Sequence, residues 1–495
     1  MAYKKVAIIG SGIGGLSTAL RLSVLGYEVD VYEQSNSVGG KANEINKNGF
    51  RFDTGPSLLT MPFVLEDLFT SSGLNLSDYI KMKKLDVLCK YFYPDSTIIT
   101  AYSDVDKFAE EIEFNTNDKA DDIKKYLNYC KNIYDLSADL FLFKSFSEKK
   151  NFISKKAIKT LLNIKNLDTH RTMHEANSSF FKDDKTIQLF DRYATYNGSN
   201  PFQAPATLNV IQHVEYNLGG YISNDGIYSI PKAIEKAARL KGVNFFFNSS
   251  VQKVIHEKNI IKGITVNGKQ IDYDIVVSNS DVENTYKNLL NDNTSSSAKK
   301  YSKLEKSTSA LVFYWGIEGI YSELEIHNIL FSEDYQKEFD DLFTNRIIPT
   351  DPTIYIYISS KFKNDDAPVN YENWFVMINV PYNKQQVWEK EIQRARKIIL
   401  EKLNRILGVN IESKIVLEDI LTPELIEKKT SSIGGSIYGI SSNNKMAAFL
   451  RQQNKSKEYN GLYFCGGSAH PGGGIPLVIL SGKITAELIE KYEIK

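Results

Sequence analysis

Cysteine is scarce in this chain. There are three in 495 residues (Cys89, Cys130 and Cys465), and no two of them form a CxxC pair. That pattern argues against a dithiol redox centre and a structural zinc site, and it suits a reducing compartment. Net charge is absent too: 60 Lys+Arg balance 60 Asp+Glu. Without a basic footprint, no nucleic-acid partner is expected. No charge-free apolar run reaches the roughly 18 residues of a membrane-spanning helix. The apolar run behind Lys4 and Lys5 stops at Gly10 without a cleavage site, which is not the pattern of a secretory signal. No unit repeats at roughly 20–50 residues, and neither a Ser/His/Asp arrangement nor metal-ligand spacing stands out.

What is abundant is aromatic. The 29 Tyr, 26 Phe and 3 Trp make up 12% of the chain, enough for a large aromatic core or for a long apolar ligand site. With 42% hydrophobic and 24% charged residues, the composition is that of a globular protein.

The first forty residues carry the strongest local signal. Val6-Ala7-Ile8-Ile9 reads as a buried parallel strand, and Gly10, Gly12 and Gly15 then occupy the G-x-G-x-x-G positions, with Gly14 between them. Leu16, Ala19, Leu20 and Val24 recur near helical spacing, and Gly26 marks a helix stop. A second strand, Val29–Tyr32, ends at Glu33, about twenty residues past the loop. Gly10 permits the tight turn, Gly12 lets backbone approach a pyrophosphate, and Gly15 allows close helix–strand packing. The helix N-terminus attracts the anion, and Glu33 is placed to accept from ribose hydroxyls. Its charge would repel a ribose 2′-phosphate.

The residues after Glu33 refine this. Gln34 and the glycine pair Gly39-Gly40, followed by Lys41, resemble the FAD-containing glutathione-reductase-type superfamily. Phe52-Asp53-Thr54-Gly55-Pro56-Ser57-Leu58 resembles the segment that runs under the flavin in its amine-oxidase and phytoene-desaturase branch. At the other end, Leu462-Tyr463-Phe464-Cys465-Gly466-Gly467-Ser468 and His470-Pro471-Gly472-Gly473-Gly474-Ile475-Pro476-Leu477 are similar to the C-terminal signature of bacterial carotenoid desaturases. Tyr196-Asn197-Gly198, Gly219-Gly220 through Tyr228, Thr422-Pro423 and Gly434–Gly439 extend the resemblance over nearly the whole chain.

The resemblance implies an α/β fold: a glutathione-reductase-type, Rossmann-like FAD-binding domain with a mixed α+β substrate domain and a helical lid. The FAD-binding domain would be discontinuous, over 1–100, 205–290 and 415–495. A lid and membrane-associating region would cover 101–204, and a substrate domain 291–414. FAD would be held by Gly10, Gly12, Gly14, Gly15, Glu33, Gln34, Gly40, Lys41, Gly55, Pro56, Ser57, Leu58, Val251, Asn279, Gly467, Gly474, Ile475 and Leu477. Lys41 stands where the family often has arginine, and it is more like enzymes acting late in carotenoid pathways.

The implied activity is desaturation of a polyene by hydride transfer to flavin, with 3,4-desaturation of the acyclic end of a 1-hydroxylated carotenoid favoured. Phytoene or diapophytoene desaturase and terminal-methyl carotenoid oxygenase are the near alternatives. A flavin amine oxidase and a non-enzymatic prenyl-lipid escort protein are the distant ones. Such chemistry needs little acid–base machinery; His213, His470 and the Asp191-Arg192 pair are the candidates weighed, and none is assigned. Seven lysines interleaved with apolar residues from Phe141 to Leu167 predict a basic amphipathic surface. The expectation is a cytoplasmic protein held peripherally on the inner face of the cell membrane, with no metal.

Overall fold

The computed structural model describes residues 4–153, 160, 163–384, 386–444 and 450–493. Its first layer is a five-stranded parallel sheet in the order Leu462–Phe464, Ile275–Ser278, Lys5–Ile9, Glu28–Tyr32, Asn244–Phe246. Val6, Ala7 and Ile8 are fully buried in the central strand, as a strand covered on both faces requires. The helix Ile13–Val24 packs on one face between the helices Ile475–Tyr492 and Ser229–Leu240. It ends where expected: Gly26 sits at φ 88°, in the left-handed region that glycine enters without cost. A three-stranded antiparallel sheet of Val251–Glu257, Ile260–Val266 and Lys269–Asp272 packs with the other face.

The second layer is a seven-stranded mixed sheet. Its order is Ile415–Leu421, Ser309–Glu318, Tyr371–Val380, Ile354–Ile358, His327–Leu330, Val87–Phe92, Ile98–Tyr102. One face carries the helix Trp388–Leu407 and a core containing Trp315 and Trp374. The other packs with a helical block that includes Val105–Asn115, Ala120–Phe141, Met173–Phe180 and Asp184–Asp191.

Two stretches differ from the ranges expected from sequence. Residues 87–100 and 415–421 are expected in the dinucleotide unit, yet their strands hydrogen-bond into the seven-stranded sheet. Their partners lie far away in sequence, so local patterning carries no mark of the pairing. The C-terminal helix begins at Ile475, with Pro476 in its first turn, where proline lacks only an N–H that would have had no helical partner.

Arg51 locks the layers together. Its guanidinium donates to Glu44 (2.8 Å), Asp53 (2.7 Å) and Asp366 (3.1 Å). Asp53 in turn accepts the backbone N–H groups of Ile227 (3.2 Å) and Tyr228 (3.1 Å), just ahead of the helix Ser229–Leu240.

Candidate active site

One cavity of about 1450 Å³ opens between the layers. That exceeds the roughly 300–1,000 Å³ of an ordinary small-molecule pocket. Every residue expected to hold a dinucleotide lines it except Gly15. Gly15 is instead packed inside: a Cβ there would stand 2.2 Å from the Gly10 carbonyl oxygen, the close helix–strand contact foreseen for it.

Two glycine turns meet at a single side chain. Asn279 follows the strand Ile275–Ser278 and donates Nδ2 to the Gly10 carbonyl (3.3 Å). A Cβ on Gly12 would come 2.8 Å from its Nδ2, and one on Gly466 would come 2.3 Å from its Oδ1. Both turns open helices, Ile13–Val24 behind Gly12 and Ile475–Tyr492 behind Gly474. Neither helix has a side-chain N-cap or an acidic residue in its first turn. Other helices of the chain do carry side-chain caps, at Asp104, Thr172 and Asp183 for example, although Pro62–Thr70, Ala120–Phe141, Ser229–Leu240 and Trp388–Leu407 do not. The two uncapped N-termini leave backbone N–H groups for an anion. At Gly474 (φ 98°) a Cβ would meet nothing within 4 Å and would project into space that the cavity needs. These donors and this relief fit a dinucleotide pyrophosphate.

Glu33 lies on the cavity wall with its carboxylate fully engaged. Oε2 accepts from the N–H and hydroxyl of Ser11, both at 2.8 Å. Oε1 accepts from Ser35 N–H (2.9 Å) and hydroxyl (2.8 Å). The sequence places Glu33 as a ribose acceptor; the structure shows that it also fastens the glycine loop to the turn after the second strand. A ribose hydroxyl would have to replace one of the two serine hydroxyls, which can rotate away. Gln34 donates to the Lys429 carbonyl (2.7 Å), fixing that edge of the cavity.

Lys41 donates Nζ to the carbonyls of Ser436 (3.0 Å) and Ile437 (2.6 Å), which leaves one ammonium proton unassigned. Burial pulls its pKa down to about 8, against the field of Asp281, which raises it. An anion beside it is therefore held most tightly while Lys41 is charged. Flavin affinity of the apoprotein is expected to fall as pH rises through about 8, and Lys41→Met should flatten that dependence. Fluorescence titration of apoprotein with flavin across this range checks it. A wild-type profile as flat as that of the variant would count against a cofactor-facing role for Lys41.

Several wall residues were invisible to sequence reasoning. Arg451 is buried and donates to the carbonyls of Tyr438 (3.0 Å), Gly467 (3.0 Å) and Ile440 (3.1 Å). Desolvation lowers its pKa to about 10, and among the described residues no carboxylate pairs with it. Glu215, also buried, accepts from Tyr193 (2.8 Å), Tyr196 and Arg192 (3.3 Å). Nothing short of the tertiary contacts reveals either group.

The weighed bases are otherwise occupied. His470 lines the cavity, but its Nε2 pairs with the Lys144 carbonyl (2.9 Å) and its ring packs on Phe146. Burial lowers its pKa to about 4. His213 lies outside the cavity lining and pairs with Asn217 (2.7 Å). Asp191 and Arg192 do not pair with each other: Asp191 binds His174 (2.7 Å) and Asn177 (2.7 Å), whereas Arg192 binds Tyr91 and Glu215.

Residues 13–490 match the family described as flavin containing amine oxidoreductase. The chain belongs to that family. Its cofactor is FAD. The chain is 44% identical to a 1-hydroxycarotenoid 3,4-desaturase of Flavobacterium sp. (strain P99-3), covering 98% of this chain and 99% of that one. It is 32% identical to a 4,4'-diaponeurosporene oxygenase of Staphylococcus haemolyticus (strain JCSC1435), covering 100% and 99%. Among solved structures, an oxidoreductase from Methanosarcina mazei superposes with a TM-score of 0.65 at 16% identity, over 98% of this chain and 100% of that one. A putrescine oxidase variant gives 0.65 at 13% identity, over 98% of each. These two show the shared oxidoreductase fold.

Proposed function

We propose that this flavin-containing oxidoreductase is a carotenoid desaturase that forms the 3,4 double bond at the acyclic end of a 1-hydroxylated carotenoid. The observation that carries the reading is the end-to-end similarity to the 1-hydroxycarotenoid enzyme, joined to a cavity that runs without a wall from the glycine turns into an aromatic-lined space. When bound, the flavin supplies the two-electron acceptor for removing hydrogen from carbon.

The chain's own residues do the rest. The proposed holders are Gly10, Gly12, Gly14, Lys41, Gly467, Gly474 and Asn279 around the phosphates and ring, with Glu33 at the ribose and the Val251 backbone at the adenine. The segment Gly55–Leu58, on the same wall, would lie under the ring system. Tyr314, Tyr335, Tyr355 and Phe375 also line the cavity, and their faces suit positive charge developing on a polyene. Burial keeps the two histidines of the lining neutral, with pKa values lowered to about 3 at His327 and about 4 at His470. No imidazolium opposes that charge at neutral pH.

A polyene of this size is nearly insoluble in water, so the reading includes collection from a bilayer by a peripherally bound enzyme. Among the described residues no helix is long and apolar enough to cross a membrane. The basic stretch divides its labour differently from the expected amphipathic face. Phe141, Leu142 and Phe146 turn inward to line the cavity, and Lys144 pairs with Asp139 (2.7 Å). Glu148 is pinned to the C-terminal helix by Lys491 and Tyr492. Ile153 is 73% exposed, and Lys150 and Lys165 are exposed as well; the readings on Lys155, Lys156 and Lys159 lie outside the described residues. Changing Lys150 and Lys165 to Gln and Ile153 to Asp is expected to weaken cosedimentation with anionic liposomes, at about 1 kcal/mol for each charge removed. Unaltered cosedimentation would place the membrane contact elsewhere.

The function itself is tested by supplying the purified enzyme with a carotenoid panel in liposomes. A 1-hydroxylated carotenoid is expected to lose two hydrogens at C3–C4 and to absorb at longer wavelength. Efficient conversion of phytoene, or oxygen added at a terminal methyl group, would overturn the regiochemistry.

A further inference from the structure

We propose that Ser57, Tyr355 and His327 form the hydroxyl-recognition site of the cavity, the element that makes a terminal hydroxyl on the polyene a requirement for binding. This deepens the preceding reading and rests on it.

The three side chains make one hydrogen-bonded chain. The Ser57 hydroxyl meets the Tyr355 hydroxyl at 2.5 Å, and the latter meets His327 Nδ1 at 2.8 Å. All three residues line the cavity. His327 is 4% exposed, and its other nitrogen, Nε2, is a buried polar atom with no hydrogen-bond partner. Such an atom is rare in a folded interior and costs stability when nothing satisfies it. Of the cavity-lining side chains, no other described one carries such an atom. The neighbouring polar groups are already used: Thr353 bonds Glu338 (2.7 Å), and Arg192 and Tyr196 bond Glu215.

Counting hydrogens shows what the chain wants. A neutral imidazole, a phenol and an alcohol bring three donor hydrogens to two internal bonds. If Ser57 donates to Tyr355 and Tyr355 to Nδ1, the unused donor is Nε2–H and Ser57 keeps an open lone pair. If the order runs the other way, Nε2 becomes the open acceptor and the Ser57 hydroxyl the free donor. In both arrangements one donor and one acceptor remain, at opposite ends. An alcohol, which both donates and accepts, satisfies the partly exposed Ser57 end in either arrangement; a hydrocarbon terminus does not. Burial together with nearby Arg192 holds the imidazole neutral, so the site binds a neutral hydroxyl rather than a carboxylate.

Position supports the assignment. Ser57 belongs to the Gly55–Leu58 segment proposed to lie under the flavin, whereas Tyr355 and His327 sit on adjacent strands of the seven-stranded sheet. The site thus bridges the cofactor side and the apolar wall. In a 1-hydroxylated carotenoid the hydroxyl-bearing C1 is two bonds from C3, so an anchor for it must stand close to the reacting carbons. Ring stacking fixes the imidazole there: His327 lies 5.1 Å from Tyr357 and 6.1 Å from Tyr355, centroid to centroid, each within 13° of parallel.

The test compares His327→Leu and Tyr355→Phe with wild type. Tyr355→Phe keeps the ring and its packing, so it covers the case in which His327→Leu fails to fold. Two quantities are read for a 1-hydroxylated carotenoid and its non-hydroxylated parent: the ratio of kcat/KM values, and the ratio of binding constants with the flavin held reduced so that no turnover intervenes. Both ratios are expected to fall at least about tenfold in the variants, because a site built for a hydroxyl discriminates through its unpaired partner. Variants that keep the wild-type ratios, or lower both substrates equally, overturn the inference and leave the desaturase reading standing. A wild-type enzyme that does not prefer the hydroxylated substrate overturns the 3,4-desaturase reading, and this inference with it.

Discussion

Replacing Arg51 with leucine is expected to cost about 3–5 kcal/mol of stability, because it leaves Asp53 in the interior without a cation and Asp366 with Lys363 as its remaining one. Asp53 is 2% exposed and Asp366 fully buried, so neither regains water when the guanidinium is gone. The damage should spread beyond the ion pairs. Asp53 receives the backbone of Ile227 and Tyr228, and the Arg51 guanidinium lies so close to Gly226 that a Cβ there would come within 2.4 Å of it. Leucine fills neither role. Chemical and thermal unfolding of the purified variant check the result. A loss below about 1 kcal/mol, the range of an exposed pair, would mean that water reaches these carboxylates.

Glu33→Ala is expected to lower FAD affinity by about ten- to a hundredfold, the equivalent of one charge-assisted hydrogen bond of roughly 1.5–3 kcal/mol. Two losses combine in it: the ribose acceptor, and the fastening of Ser11 and Ser35 that shapes the loop. The second loss is separable. Ser11→Ala removes one hydroxyl contact and leaves the carboxylate for ribose, so its effect should be much smaller. Flavin content on purification and fluorescence titration of the apoprotein measure both. Unchanged affinity in Glu33→Ala would remove the N-terminal strand–turn–helix from the cofactor site.

Much of the cofactor side was readable in one dimension because its determinants are local. The strand before Gly10, the helix after it and the stop at Gly26 follow from neighbours within a few residues. The substrate side was not readable in this way. His327 becomes interesting only when Ser57, 270 positions earlier, and Tyr355 are brought against it. Arg451 reads as one more surface arginine until its three carbonyl partners close around it. Residues 87–100 change layers because partners in 327–330 recruit them, a fact that no short window contains. Glu33 is the intermediate case: its place was legible, but its second task as a clasp was not.

Asn279 gives the molecule an order of assembly. It stands where the turn at Gly10–Gly12 meets the turn at Gly466, and the strand ahead of it pairs with Lys5–Ile9 on one side and Leu462–Phe464 on the other. On the ribosome, the first turn is made hundreds of residues before the last. At roughly 5–20 residues per second, that interval is of the order of half a minute to a minute and a half. Throughout it, the N-terminal strand lacks one neighbour or the other's neighbour, and half of the anion cradle is missing. With the dinucleotide placed as proposed, the nascent chain would have no complete place for it, and cofactor loading would belong to the finished polypeptide.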